Sequence, residues 1–133
     1  MRLNPYLNFN GDCEAAFRFY EQVLKGKILF KMTWGESPMA EQMPQESRHQ
    51  ILHTSLAVGE EFLMGADTMP GTYQKPVGIA VSLSLSDVAE AERIFNALKD
   101  KGTVQMDFQK TFWAAGFGMC VDRFGIPWMI SVE

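Results

Sequence analysis

Apolar and polar positions alternate at the start of the chain and then change to a helical period. Leu3, Leu7 and Phe9 alternate with polar neighbours, so residues 3–9 predict a strand with one apolar face. Gly11-Asp12 then breaks the strand and caps a helix that Gly26 ends. The apolar positions of that helix are Cys13, Ala16, Phe17, Tyr20, Val23 and Leu24. Three more strands are predicted at residues 27–34, 49–58 and 61–65.

The same order of patterns returns in the second half. Val81, Leu83 and Leu85 alternate with serines, and Asp87 begins a helix with Glu90 three residues on, as in a capping box. The predicted apolar stripe of this helix is Val88, Ala91, Phe95 and Leu98. Gly102 ends the helix, and strands are predicted at residues 103–108, 118–121 and 128–132.

The two halves therefore predict a duplicated βαβββ module in an α+β fold. The helices match at a shift of 75 residues, the difference between Asp12 and Asp87. The matched pairs are Asp12 and Asp87, Ala16 and Ala91, Arg18 and Arg93, Tyr20 and Phe95, and Val23 and Leu98. We expect one domain over residues 1–133, with modules at 1–66 and 77–133 and a linker at Asp67–Pro76. Two curved mixed sheets would then enclose a central cavity.

An aromatic segment and a hairpin close the second half. Asp122-Arg123-Phe124-Gly125 predicts a turn, because Asp can bond its own backbone and Gly accepts a positive φ. The rings around it can be core or can wall a cavity, and the sequence leaves both interpretations open. The same two interpretations apply to a wider set of aromatic and thioether side chains: Trp34, Phe112, Trp113, Phe117 and Trp128, with Met32, Met64, Met106 and Met129.

The polar candidates follow from the same strand alternation. If Leu7 and Phe9 face the helix, Tyr6 and Asn8 face the cavity, and the same argument turns Ser82 and Ser84 inward. The long proline-bearing loop at 35–47 predicts a flap, and Glu36 lies where the flap begins. A semi-polar interior of this kind is typical of a ligand site.

Histidine and cysteine limit the catalytic chemistry that can be assigned. His49 and His53 lie on one predicted strand roughly 13 Å apart, too far to share one ion. His53 is either a ligand contact or general base, or a hydrogen-bonded wall residue. Cys13 is near a helix start, which can lower a thiol pKa, or is a small core residue. No catalytic residue is assigned.

Composition excludes several classes of protein. A net charge of −4 argues against a nucleic-acid surface, and no apolar run approaches a membrane span. Two cysteines form no disulfide framework, so a reducing cytoplasm is expected.

The paired modules resemble the vicinal oxygen chelate superfamily, which includes glyoxalase, bleomycin resistance and extradiol dioxygenase proteins, and most closely its PhnB-like branch. The residues that carry the resemblance are Pro5-Tyr6-Leu7-Asn8-Phe9, Gly11-Asp12-Cys13, Trp34-Gly35-Glu36, Leu63-Met64-Gly65-Ala66-Asp67, Thr111-Phe112-Trp113-Ala114, Phe117-Gly118 and Asp122-Arg123-Phe124-Gly125-Ile126-Pro127-Trp128. Members of this branch sometimes carry a ubiquinone-precursor methyltransferase label, but the sequence has no glycine-rich nucleotide loop.

The resemblance implies a divalent metal held by His, Gln or Glu side chains in catalytic members. The matching positions here are Tyr6, Ala80 or Ser82, about Met64, and Trp128 or Met129. None of these is an ordinary ligand for a hard or borderline divalent ion, so we expect no metal and no cofactor.

The resulting hypothesis is a homodimer that binds a small organic molecule between its sheets, with no nucleic-acid or membrane partner. Tyr6, Asn8, Trp34, Glu36, His53, Met64, Ser82, Phe112, Trp113 and Trp128 are the expected ligand contacts. Two alternatives stay open: a metal-dependent lyase, isomerase or resistance transferase with atypical ligands, and a methyltransferase.

Overall fold

The computed structural model describes residues 1–133, and their contacts divide the chain into two units, residues 1–74 and 75–133. Each unit has the predicted order of one strand, one helix and three strands. The first contains β1 (Tyr6–Phe9), α1 (Cys13–Val23), β2 (Lys27–Thr33), β3 (Ile51–Val58) and β4 (Glu61–Asp67). The second contains β5 (Val81–Leu85), α2 (Val88–Lys99), β6 (Thr103–Gln109), β7 (Gly116–Val121) and β8 (Pro127–Val132).

Each unit forms a mixed four-stranded sheet. The strand orders are β1-β4-β3-β2 and β5-β8-β7-β6, with the first pair of each sheet parallel and the other pairs antiparallel. The predicted α+β architecture of two βαβββ modules is therefore confirmed. Even the irregularities repeat, because β2 has a register shift between Ile28 and Phe30 and β6 has one between Val104 and Met106.

One face of each sheet is buried against the helix of its own unit. Phe9 on β1 meets Phe17 on α1 edge to face, with ring centroids 6.0 Å apart. Tyr20 on α1 and Phe95 on α2, which the sequence matched across the duplication, are both buried. We call the opposite side of each sheet its open face.

The helix ends differ from the sequence prediction in three respects. Asp12 makes no side-chain cap for α1, whereas Asp87 accepts bonds from the amides of Ala89 and Glu90 at 3.0 and 3.4 Å. After α1 the left-handed residue is Lys25 (φ 54°), not Gly26. Gly26 is needed for a close approach instead, because a Cβ there would lie 2.5 Å from the carbonyl oxygen of Ala57.

Several other boundaries are corrected. Leu3 precedes β1 and is 95% exposed, and Val88 is exposed while Ile94 is buried in its place. Asp67 ends β4 and is buried, so it is not part of a linker. The loop predicted as a flap contains three single-turn 3₁₀ helices, at Trp34–Glu36, Ala40–Gln42 and Gln45–Ser47. Neither α-helix is long and apolar enough to span a membrane.

The β7–β8 turn forms as predicted and fixes Trp128. Oδ1 of Asp122 accepts bonds from the amides of Phe124 and Ile126 at 2.8 and 3.0 Å, and Gly125 has a φ of 88°. Oδ2 of Asp122 accepts the indole N–H of Trp128 at 2.8 Å, and the Trp128 side chain is fully buried.

Trp128→Ala is predicted to lower the free energy of unfolding by about 3–5 kcal/mol, because it removes a buried ring and leaves the Asp122 carboxylate short of a donor. Phe112, which is 97% exposed, supplies the control, and Phe112→Ala should change stability by less than about 1 kcal/mol. Urea denaturation measures both values, and equal losses would contradict the buried position of Trp128.

Candidate functional site

The open face of the first unit carries a mixture of rings, thioethers and small polar groups. The register of β1, β4, β3 and β2 places one row and two further pairs of side chains there. One row is Tyr6, Met64, Ser55 and Phe30, and beside it are the two pairs Asn8 with Ala66 and His53 with Met32. This composition, apolar with a few polar atoms, is typical of small-molecule sites.

Tyr6 and His53 form a pair across this face. The hydroxyl of Tyr6 lies 3.0 Å from Nδ1 of His53, and the two rings are stacked with centroids 5.6 Å apart and an interplanar angle of 22°. The two residues are on β1 and β3, with β4 between them. On β4, Ala66 pairs with Asn8 and has only a methyl side chain.

The protonated hydroxyl of Tyr6 favours a hydrogen bond to the His53 imidazole. Burial, and secondarily the neighbouring Cys13, raises the pKa of the Tyr6 hydroxyl above its ordinary value of 10.0, so it keeps its proton at neutral pH. If that hydroxyl donates to Nδ1, the proton of the neutral imidazole is on Nε2, which then is a donor. If Nδ1 donates, Nε2 is an acceptor.

Phe30 extends the aromatic surface. Its ring lies 5.7 Å from the His53 ring at an angle of 44°. Tyr6 is 46% exposed and Phe30 is 45% exposed, so both rings have free surface. The three rings together form what we call the aromatic trio of Tyr6, His53 and Phe30.

The buried carboxylate of Asp67 holds the segments that carry this face. Its Oδ1 accepts the amides of Gly11 and Cys13 at 2.8 and 3.0 Å. Its Oδ2 accepts the amide of Ile51, at the start of β3, at 2.8 Å. One side chain therefore ties the β1–α1 connection and the beginning of β3 to the end of β4.

Trp34 does not lie on the open face, contrary to the sequence prediction. It is 6% exposed, and its indole N–H donates to the backbone oxygen of Asp67 at 3.2 Å. It therefore anchors the loop after β2, and Met43 within that loop is buried too. This loop is fixed at its base rather than hinged as a flap.

Glu36 and Trp128 are also engaged elsewhere. Glu36 completes a capping box, because its Oε1 accepts the amide and the hydroxyl of Thr33, each at 2.9 Å. These bonds lower the pKa of the Glu36 carboxyl. Trp128 pairs with Val81 on the helix side of the second sheet, where it cannot reach a ligand on the open face. The prediction that Glu36 and Trp128 contact a ligand is therefore wrong.

The remaining candidates lie in the second unit. Ser82 is exposed on the open face and pairs with Met129. Phe112 and Trp113 are exposed on the β6–β7 connection, where Trp113 packs on Phe117 with ring centroids 5.3 Å apart. The structure thus groups Tyr6, Asn8, His53 and Met64 on the first sheet, and it places Ser82, Phe112 and Trp113 in the second unit.

The cysteines have no activated thiol. Burial raises the pKa of Cys13 far above its ordinary value, and the carboxylates of Asp67, Asp12 and Glu14 raise it further. Burial likewise raises the pKa of Cys120 to about 11. The position of Cys13 at a helix start therefore does not produce a thiolate at neutral pH.

The metal that the resemblance implies does not fit the side chains present. No three His, Cys, Asp or Glu side chains lie together in this chain. The positions that the resemblance assigned to ligands present a phenol, a hydroxyl and thioethers at Tyr6, Ser82, Met64 and Met129, and an indole turned into the core. These groups are poor donors for a hard divalent ion.

Sequence reasoning missed Phe30, Ser55 and Asp67. Alternation along β2 does not reveal Phe30, because the register shift after Ile28 changes which residues share a face. Asp67 was predicted as the first residue of the linker Asp67–Pro76, and only the three backbone amides that it accepts show its position in the core.

Known proteins resemble the whole length of this chain. A family model described as 3-demethylubiquinone-9 3-methyltransferase matches residues 1–131. Protein YjdN of Escherichia coli is 35% identical over 140 residues, covering 99% of this chain and 95% of that protein.

Solved structures agree with this comparison. Protein PA1353 from Pseudomonas aeruginosa superimposes with a TM-score of 0.92 at 43% identity, over 100% of this chain and 98% of that one. A PhnB protein from Bacillus cereus, described as a putative 3-demethylubiquinone-9 3-methyltransferase, gives 0.84 at 16% identity over 100% of both chains. A bleomycin resistance determinant from transposon Tn5 gives 0.61 at 17%, over 100% of this chain and 98% of that one. These last two structures show the shared fold, which is the glyoxalase and bleomycin resistance fold.

Proposed function

We propose that this chain, which belongs to the family described as 3-demethylubiquinone-9 3-methyltransferase, binds a small organic molecule on the open face of its first unit. The observation that carries the proposal is the hydrogen-bonded, stacked pair of Tyr6 and His53 on a sheet face that the unit's own helix leaves uncovered. The proposal assigns binding and no catalytic step.

The aromatic trio supplies the apolar contact. Two of its rings leave about half of their surface exposed, and covering such rings with an apolar ligand is favourable at about 25 cal/mol per Å² of buried apolar area. Offset stacking and edge-to-face contact would add to that for a planar ligand. The trio therefore favours a ligand with at least one flat, apolar ring.

Polar side chains beside the trio would fix the orientation of the ligand. Nε2 of His53 donates or accepts according to the tautomer, and Asn8 and Ser55 flank the trio on β1 and β3. Met64 lies between Tyr6 and Ser55 and can adapt its shape. A hydroxyl or carbonyl group on the ring matches this set of donors and acceptors.

Methyl transfer, as in the description of the family, receives less support from these residues. The two strand-to-helix connections are short, three residues from Asn10 to Asp12 and two from Ser86 to Asp87. Neither contains the glycine-rich turn that cradles a nucleotide-like cofactor. We also propose that the protein works in a reducing compartment such as the cytoplasm, and its two free, buried cysteines support this.

Binding of 2-naphthol, a flat ring with one hydroxyl, tests the proposal. In titrations followed by ¹H–¹⁵N NMR, we expect the largest shifts at residues of β1, β3 and β4. His53→Ala should weaken binding at least tenfold, because it removes an aromatic ring and the hydrogen-bond partner of the Tyr6 hydroxyl. Tyr6→Phe should weaken it several-fold, because the ring stays and the hydrogen bond is lost.

His49→Ala and Tyr73→Phe are the matched controls, since His49 precedes β3 and Tyr73 follows β4, both outside the sheet. Both should bind 2-naphthol like the wild type. Unchanged affinity in His53→Ala, or shifts confined to the second unit, would refute the site. S-adenosylmethionine in the same assay tests the methyltransferase alternative, and saturable binding would support that alternative instead.

We also propose that the chain is a homodimer. Four aliphatic side chains are more than half exposed: Leu3 at 95%, Val77 at 82%, Ile79 at 71% and Leu29 at 56%. A second copy related by a two-fold axis would cover the same surface on both chains.

Sedimentation at micromolar concentration should therefore give a species of twice the 15.0 kDa chain mass. Ile79→Lys should shift the population toward the monomer, because it places a charge where the interface is expected to be apolar. A wild-type species at the mass of a single chain would contradict the dimer.

A further inference from the structure

Three methionines lie side by side across the open face of the second sheet. Met119 on β7 pairs directly with Met129 on β8 and with Met106 on β6. Directly paired residues point to the same face, so the three thioethers form one row across three neighbouring strands. All three side chains are partly exposed. We call Met106, Met119 and Met129 the thioether row.

We propose that the thioether row binds a soft monovalent metal ion of the Cu(I) class. Thioether sulfur is a soft ligand that selects Cu(I) over the hard divalent ions. Met129 is at one of the positions that the resemblance assigned to ligands of a divalent metal, but the proposed site differs in its chemistry, because it uses sulfur in place of imidazole and carboxylate donors and lies within a single unit.

The spacing of the row allows its sulfurs to converge. Neighbouring strands are about 4.8 Å apart, so the backbones of Met106 and Met129 are separated by about 10 Å with Met119 between them. Methionine is unbranched and has three rotatable bonds, which lets the two outer side chains lean toward the central one. Three sulfurs around one ion is a coordination that such a row can supply.

The surroundings of the row favour a cation of low charge. The other residues placed on this face by the strand register are uncharged: Ser82, Ser84, Thr103, Gln109, Phe117, Val121, Pro127 and Ser131. No lysine or arginine of the sheet shares the face, so no side chain of like charge opposes a monovalent ion.

The sister unit shows that the row does not follow from the duplication alone. In the first sheet the row equivalent to Ser82, Met129, Met119 and Met106 holds Tyr6, Met64, Ser55 and Phe30. That row contains a single thioether, and Met64 has no sulfur-bearing partner in register. Met64 is therefore the natural control, a partly exposed methionine at the position that corresponds to Met129.

The thiols lie away from the row. Cys120 is next to Met119 in sequence but points to the opposite face, where it is fully buried and pairs with Trp128. Cys13 is fully buried in the other unit. Neither thiol is placed to complete the site.

Silver nitrate in chloride-free buffer is the probe, because Ag(I) is a soft monovalent ion without redox chemistry under these conditions. The protein carries ¹³C-methyl methionine, and each methyl signal is assigned by its Met→Leu variant. We expect the signals of Met106, Met119 and Met129 to shift together and to saturate at one ion per chain. The Met64 signal should not move.

The variants give the second measurement. Met119→Leu should weaken Ag(I) binding at least tenfold, and Met106→Leu and Met129→Leu, which repeat the test at the two ends of the row, should weaken it too. Met64→Leu and a Cys13→Ala/Cys120→Ala variant should bind like the wild type. Met and Leu have similar volumes, so the fold is expected to survive, and circular dichroism checks this.

Three results would overturn the proposal: equal shifts at Met64, wild-type affinity in all three row variants, or loss of binding in the cysteine variant. The experiment contains no organic ligand, and the signals expected to shift all belong to the second unit. Its outcome is therefore independent of whether the first unit binds 2-naphthol.

Discussion

The buried carboxylate of Asp67 is the interaction on which the first unit depends. A charged group that is 1% exposed is unfavourable unless its lone pairs are satisfied. Three amides from the β1–α1 connection and the start of β3 supply those bonds, at 2.8 to 3.0 Å, in place of a positively charged partner. These charge-assisted bonds join segments that are far apart in sequence. They fix the strand positions from which Tyr6 and His53 meet.

The second unit repeats the backbone plan but uses its buried carboxylate differently. Asp122 lies in the β7–β8 turn, where it binds two amides of its own turn and the indole of Trp128. The two open faces have diverged accordingly. The first presents the aromatic trio, and the second presents the thioether row. We infer that duplication preserved the scaffold, while the side chains on the two open faces diverged.

Periodicity predicted the scaffold well because it reports local geometry and burial. The alternation around Leu7 and Phe9 identified the helix side of β1, and it turned Tyr6 and Asn8 to the other side. Periodicity failed where contacts between residues distant in sequence determine where a side chain lies. Trp34 and Trp128 looked like cavity walls, but each indole N–H is bound to a partner inside its own unit. Phe30 was missed because its face depends on the register shift after Ile28, which no single-strand pattern contains.

The stability of Asp67→Asn, measured by urea denaturation, tests the central role of this carboxylate most directly. The amide side chain keeps one acceptor oxygen and turns its N–H₂ toward at least one backbone donor, so the free energy of unfolding should fall by about 2–4 kcal/mol. Asp107→Asn, at an exposed position of β6, should change it by less than about 0.5 kcal/mol. An Asp67→Asn variant as stable as the Asp107→Asn control would contradict the account.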